Sequence, residues 1–195
     1  PSGGNCDWRF PEGKFGEPFF ISFDSSNQSY SPEENKSLYI FRATGDALTI
    51  NDLYLDNPTY LPYIISADDY LGGLGGDEIN IYGFLTNKNF DVQPITFNLT
   101  DDETYSPNQG MILYVLRTSA NSLTINGYQV DIPATSPIMI GSQHELGVSG
   151  ASGQMNVNGY LVSDDFFENC NGNEGSISPN ISTNNKTLMY TIDGF

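Results

Sequence analysis

Positive charge is scarce in this chain. Its 195 residues hold 7 Lys+Arg against 24 Asp+Glu, a formal net charge of −17. Such a surface repels nucleic acid and anionic membranes, so neither is expected as a partner. No run approaches the ~20 apolar residues that a spanning helix needs, and no membrane insertion is expected. Helical periodicity is missing too: no stretch keeps apolar residues at i, i+3, i+4 and i+7 over three turns. Histidine occurs once, at His144. Metal binding and acid–base work need partners at ligand spacing, and neither the histidine nor any acidic pair has them. His144 is therefore expected on the surface and the protein is expected not to be an enzyme. The two cysteines, Cys6 and Cys170, lie outside the repeated cores, so they are not the internal bridge of an antibody-type domain. A staple between lead-in and tail, a bond between neighbouring molecules and free thiols are the three readings, and in an extracellular chain a disulfide is expected.

What is present is a duplication. Shifting the sequence by 75 positions lays Tyr30-Ser31-Pro32 on Tyr105-Ser106-Pro107 and Leu38-Tyr39 on Leu113-Tyr114. It also lays Leu48-Thr49-Ile50-Asn51 on Leu123-Thr124-Ile125-Asn126, and Leu71-Gly72 on Leu146-Gly147. One inserted residue then brings Asn80, Gly83 and Leu85 onto Asn156, Gly159 and Leu161. Repetition at a fixed period is the mark of a doubled unit. A partial third copy follows: Asn184 to Leu188 repeats the pattern of Glu34 to Leu38 at twice the offset.

Within each copy the apolar residues alternate. Pro18 to Phe23 matches Pro94 to Leu99, and Glu78 to Leu85 matches Gln154 to Val162. Period two is the signature of half-buried strands. Leu38 to Ala43 and Met111 to Thr118 are the most apolar runs and read as central strands. Gly, Pro, Asn and Asp punctuate the rest. Tyr60 to Ser66 and Ser136 to Ile140 read as strands entered through prolines. Gly72 to Gly76 reads as a flexible connection, because no Lys-Ser/Thr and no helix follow it. The expected fold is all-β: two tandem immunoglobulin-like or related β-sandwich repeats of about 75–90 residues, followed by a strand-like extension. The divisions fall at 1–17 for an irregular lead-in, 18–91 and 92–165 for the repeats, and 166–195 for a linker and tail. The expected core is Leu38, Ile40, Leu48, Ile50, Ile79 and Ile81, with Leu113, Val115, Leu123, Ile125, Met155 and Val157.

The lead-in string Cys6-Asp-Trp8-Arg-Phe-Pro11-Glu-Gly13 resembles the opening of CUB-like extracellular domains, with Cys-x-Trp and then Pro-x-Gly. It covers eight residues without the rest of that cysteine pattern, so no function is carried over from it.

Five Asn-x-Ser/Thr triplets, at Asn27, Asn35, Asn98, Asn180 and Asn185, are candidate N-glycan acceptors on turns and strand flanks. With the charge and the β repeats they point to an extracellular or cell-surface location. The chain opens on Pro1 rather than Met, as a mature or trimmed product would. Asp164, Asp165 and Glu168 form an acidic group at the linker that could share a Ca²⁺, although solvated charge explains them as well. In the tail, Leu188, Tyr190 and Ile192 alternate onto one face, as in a strand that pairs with another sheet. These features point to a non-enzymatic structural protein, a subunit of a glycosylated filament or array assembled head to tail from copies of itself by strand donation. The alternative is a secreted or surface adhesion module that binds a glycan or protein through its loops.

Overall fold

In a computed structural model, the described residues are 7–13, 16–24, 28–45, 48–55, 60–74, 78–120, 122–131, 135–149 and 153–168. They are all-β, in four antiparallel sheets, with no closed barrel. The first unit contains β1 (Glu17–Asp24), β2 (Lys36–Thr44), β3 (Leu48–Ile50), β4 (Leu53–Tyr54), β5 (Tyr63–Ser66), β6 (Leu71–Gly73) and β7 (Glu78–Asn87). The second contains β8 (Gln93–Thr100), β9 (Thr104–Tyr105), β10 (Met111–Thr118), β11 (Ser122–Ile125), β12 (Tyr128–Asp131), β13 (Ile138–Gly141), β14 (Leu146–Val148) and β15 (Gln154–Ser163).

Pairing in the second unit is nested. The first strand pairs with the last (β8 with β15), then β9 with β14, β10 with β13 and β11 with β12. The result is two facing sheets, ordered β13-β10-β15-β8 and β12-β11-β14-β9. A long hairpin rolled up on itself in this way is a jelly roll. The first unit repeats the scheme in sheets β1-β7-β2-β5 and β4-β3-β6, where a bridge between Tyr30 and Leu71 stands in for β9. The immunoglobulin order puts the first strand beside the second; here it lies beside the last, so the expected immunoglobulin-like order is not the one observed.

The registers coincide copy for copy. Leu38 faces Ile65 as Leu113 faces Ile140, and Ile40 faces Gly83 as Val115 faces Gly159. Both central strands carry a bulge at the same place, between Ile40 and Arg42 and between Val115 and Arg117. The glycines opposite follow from it. A Cβ on Gly83 would meet the Tyr39 carbonyl oxygen at 1.9 Å, and one on Gly159 the Tyr114 oxygen at 2.1 Å. A bulge that bends one strand toward its neighbour leaves room there only for hydrogen.

The hairpins β3–β4 and β11–β12 turn on Asn51-Asp52 and Asn126-Gly127, all four at positive φ. Two left-handed residues make the turn whose twist matches the flanking strands. The Asn51 side-chain oxygen accepts the Tyr70 N–H at 3.0 Å, and that of Asn126 accepts the Glu145 N–H at 2.8 Å.

Each unit buries a core between its own sheets. In the first it comprises Phe23, Leu38, Ile40, Leu48, Ile50, Leu71, Ile79 and Ile81, and in the second Leu99, Leu113, Val115, Leu123, Ile140, Leu146, Met155 and Val157. All the expected core residues are buried except Ile125, which is half-buried at the rim. Pro62 and Pro137 delay the start of β5 and β13 past the expected Tyr60 and Ser136. Gly72 and Gly73, expected as part of a flexible connection, instead lie in β6 and pair with β3.

Candidate functional site

The second unit lies against the first through one joint, built from the outer face of β8 and β15 and the open edge of β5. Asn158 on β15 is completely buried. Its Oδ1 accepts the Ile64 N–H at 3.1 Å, and its Nδ2 donates to the Ile64 carbonyl at 2.9 Å and to Thr96 Oγ1 at 2.9 Å. Ile64 lies on the last strand of its sheet, where backbone groups have no further strand to pair with. The primary amide supplies one acceptor and one donor, which satisfies both sides of that peptide edge. Two residues away, Asn156 Nδ2 donates to the Tyr54 carbonyl of β4 at 2.7 Å, while its Oδ1 accepts from Asn98 Nδ2 at 2.7 Å.

An aromatic cluster fills the angle beside this row of amides. Tyr39, Leu61, Ile64 and Phe84 of the first unit are buried with Tyr114, Leu116, Tyr160 and Val162 of the second, and with Val92 between them. The two units contribute equivalent ring pairs: Tyr39 stacks on Phe84 with centroids 4.8 Å apart, and Tyr114 on Tyr160 at 5.0 Å. Burial pushes the Tyr114 hydroxyl up to about 12 and those of Tyr39 and Tyr160 well above the ordinary tyrosine value, so all three stay neutral donors. Tyr160 donates to the Trp8 carbonyl.

The lead-in closes the cluster. Phe10 lies 5.6 Å from Tyr39 and 5.7 Å from Phe84, ring to ring. Glu12 ties three segments together. Its Oε1 accepts from Ser37 Oγ at 2.9 Å and from the Asn89 N–H, between the units, at 2.8 Å; its Oε2 accepts from the Tyr39 hydroxyl at 3.2 Å. Desolvation raises the Glu12 carboxyl above the ordinary glutamate value, and the hydrogen bonds from Asn89, Ser37 and Tyr39 offset this only in part.

Of the residues singled out in the sequence, Asn35 is exposed on the turn before β2. Asn98 is not on a flank but inside β8, and the Nδ2 that a glycan would occupy is engaged with Asn156. Asn27, Asn180, Asn185, Cys6, Cys170, Leu188, Tyr190 and Ile192 lie outside the described residues. Asp164, Asp165 and Glu168 form a tight turn after β15, in which the Glu168 N–H donates to the Asp165 carbonyl. Among the described residues no three His, Cys, Asp or Glu side chains are grouped so that they could hold a metal ion. His144, expected on the surface, is half-buried with its Nδ1 enclosed and unpartnered. The residue at the equivalent position of the first unit, Asp69, is buried and accepts from Asn51 Nδ2 at 2.7 Å and the Ser66 N–H at 2.9 Å.

Sequence reading missed Asn158, Asn156 and Glu12 as joint residues. The signal was in the differences between copies. Between the first and last strands of each unit, Phe20 faces Tyr82 in the first, where Thr96 faces Asn158 in the second. A position that changes from aromatic to amide between two otherwise matching sheets has changed its surroundings.

The chain matches no family model, no curated protein and no solved structure.

Proposed function

We propose that this protein is a non-enzymatic structural subunit of an extracellular, glycosylated filament or surface array, assembled head to tail from copies of itself. One observation carries this reading: the joint between its two repeated units sets an edge against a face. Such a contact is not self-complementary. Repeated from molecule to molecule it extends rather than closing on a pair, and open heterologous contacts generate filaments. The acidic surface keeps separate copies soluble and fits an exposed environment. The exposed Asn35 offers an acceptor for a glycan, and Cys6 and Cys170 would add a covalent tie within or between subunits. The alternating Leu188, Tyr190 and Ile192 would give a second means of joining, by strand addition to a neighbour's sheet edge.

Negative-stain microscopy and analytical ultracentrifugation of the purified chain over a range of concentrations test the proposal. Rods or sheets that lengthen with concentration are expected; one monodisperse species throughout rejects it. The second reading, an adhesion module, draws on the aromatic pair Phe20 and Tyr82, exposed at 67% and 53%, because exposed aromatic patches mark binding sites. Binding on a glycan array by particles that never polymerise would favour it.

A further inference from the structure

Each unit has a β5-type edge and a β7-type face, but the single joint within the chain uses only one of each. The first unit spends its edge, at Tyr54 and Ile64, on the second unit's face at Asn156, Asn158 and Thr96. The second unit's own edge remains, and so does the part of the first unit's face beyond Tyr39 and Phe84, which the aromatic cluster and Phe10 already cover. By register, the unused face consists of Phe20, Asn80 and Tyr82, with Phe41 beside them. Phe20 lies directly opposite Tyr82 on the neighbouring strand, and the Phe41 and Tyr82 rings are 6.5 Å apart. The unused edge consists of β12 and β13, with Met139 in the place of Ile64 and Gln129 in the place of Tyr54. β13 ends its sheet with nothing paired to its outer side among the described residues. Tyr128, at the tip of this edge, is 78% exposed.

Phe20 and Tyr82 on the face and Tyr128 on the edge are thus exposed, with Phe41 and Met139 half-buried against the aromatic cluster beside them, while the repeat equivalents of Phe20 and Tyr82 on the used face are a half-buried Thr96 and a buried Asn158. Exposed Tyr and Phe are the side chains that interface cores favour. An unprotected sheet edge is a template for association unless something covers it. We infer that the face of Phe20, Phe41 and Tyr82 is the docking site for a second copy of this chain, which seats its β12–β13 edge, with Tyr128 and Met139, upon it. The contact continues between molecules the joint that already exists within one. It also fixes polarity: the first unit of each molecule receives the second unit of another. The joint differs from the internal one in kind, since rings replace the amides that grip Ile64, and it is accordingly the weaker and more easily reversed of the two. This assignment rests on the assembly proposed above and names the surfaces that make it.

Two variants at exposed positions test it, each checked by circular dichroism for an unchanged fold. Phe20→Ser with Tyr82→Ser removes the face; Tyr128→Asp spoils the edge. In sedimentation velocity at equal concentrations, the unmodified chain is expected to form a series of growing species and each variant alone to stay monomeric. An equimolar mixture of the two is expected to stop at the dimer, because it holds one intact face and one intact edge. If the unmodified chain assembles and the variants assemble undiminished, this docking is overturned while the filament stands. If the variants are blocked but their mixture yields no dimer, the complementarity of the two surfaces is overturned. If the unmodified chain is a monomer at every concentration, the filament itself falls, and the docking with it.

Discussion

Asn158 holds Ile64 by both its backbone groups, accepting the N–H at 3.1 Å and donating to the carbonyl at 2.9 Å, across 94 residues of sequence. A side-chain amide here performs the task of an absent neighbouring strand. It caps the edge of the first unit's sheet and sets the angle at which the second unit lies. Replacing it with Leu or Ala leaves a buried donor and a buried acceptor without partners, and each such orphan costs about 1–3 kcal/mol. Asn158→Leu is expected to lower the unfolding free energy from urea denaturation by about 2–6 kcal/mol for the pair, and to raise hydrogen exchange at the Ile64 amide. Asn35→Ala, on an exposed turn, is the control and leaves both unchanged.

Gly83 and Gly159 are expected to resist any substitution. At 1.9 Å and 2.1 Å from a backbone oxygen, a Cβ can be admitted only if the bulge itself shifts. Overpacking costs about 1–3 kcal/mol where side chains can move, and more where backbone must. Gly159→Ala is expected to exceed about 3 kcal/mol of destabilisation by chemical denaturation. Alanine at Gly110, where no atom lies within 4 Å, meets only the strain of positive φ. It is expected to cost about 1–2 kcal/mol.

Glu12 makes the lead-in sensitive to pH. Its carboxyl is raised in the folded chain, so the folded state favours the protonated form. The stability it contributes is fully present below the unfolded glutamate value and is lost as pH rises through the raised one. Glu12→Gln removes that titration. Thermal melts of the two proteins are expected to agree better near pH 4 and diverge toward about pH 7, with the glutamine variant losing less stability. A constant difference across that range would exclude Glu12 as the titrating group.

Removal of residues 178–195 separates the two ways of joining subunits. With the joint made by the Tyr128 edge and the Phe20 face, the shortened chain is expected to assemble as the full one does, by sedimentation. Complete loss of assembly would assign the joint to strand donation through Leu188, Tyr190 and Ile192.

Non-reducing gels of assembled material report on Cys6 and Cys170. Ladders that collapse with reductant are expected if these cysteines link neighbours, whereas a single monomer band in both conditions limits them to one chain.

The sequence by itself determined the elements and their repetition. Strict alternation in Ile79-Asn80-Ile81 and Met155-Asn156-Val157 specifies which side of each strand faces the core of its own unit, because successive side chains on a strand point to opposite faces. Asn126-Gly127 between Ile125 and Tyr128 announces a hairpin, because that pair accepts two left-handed residues. The equality of the two copies required that one fold be made twice. Only the tertiary structure decided the order of the strands. Alternation is the same for a strand paired with its successor and one paired with the last of the unit, so the nested order of β8 with β15 left no trace in either segment. The same holds for the three-residue strands β6 and β14, each with a central glycine and too short to show alternation, whose pairing is imposed by neighbours. The joint was hidden for a related reason. Asn158 and Tyr82 occupy the same outward position of the same strand in each copy, and outward residues read as solvent-facing. Which of them is covered depends on where the other unit lies, and that depends on the hydrogen bonds between Asn158 and Ile64.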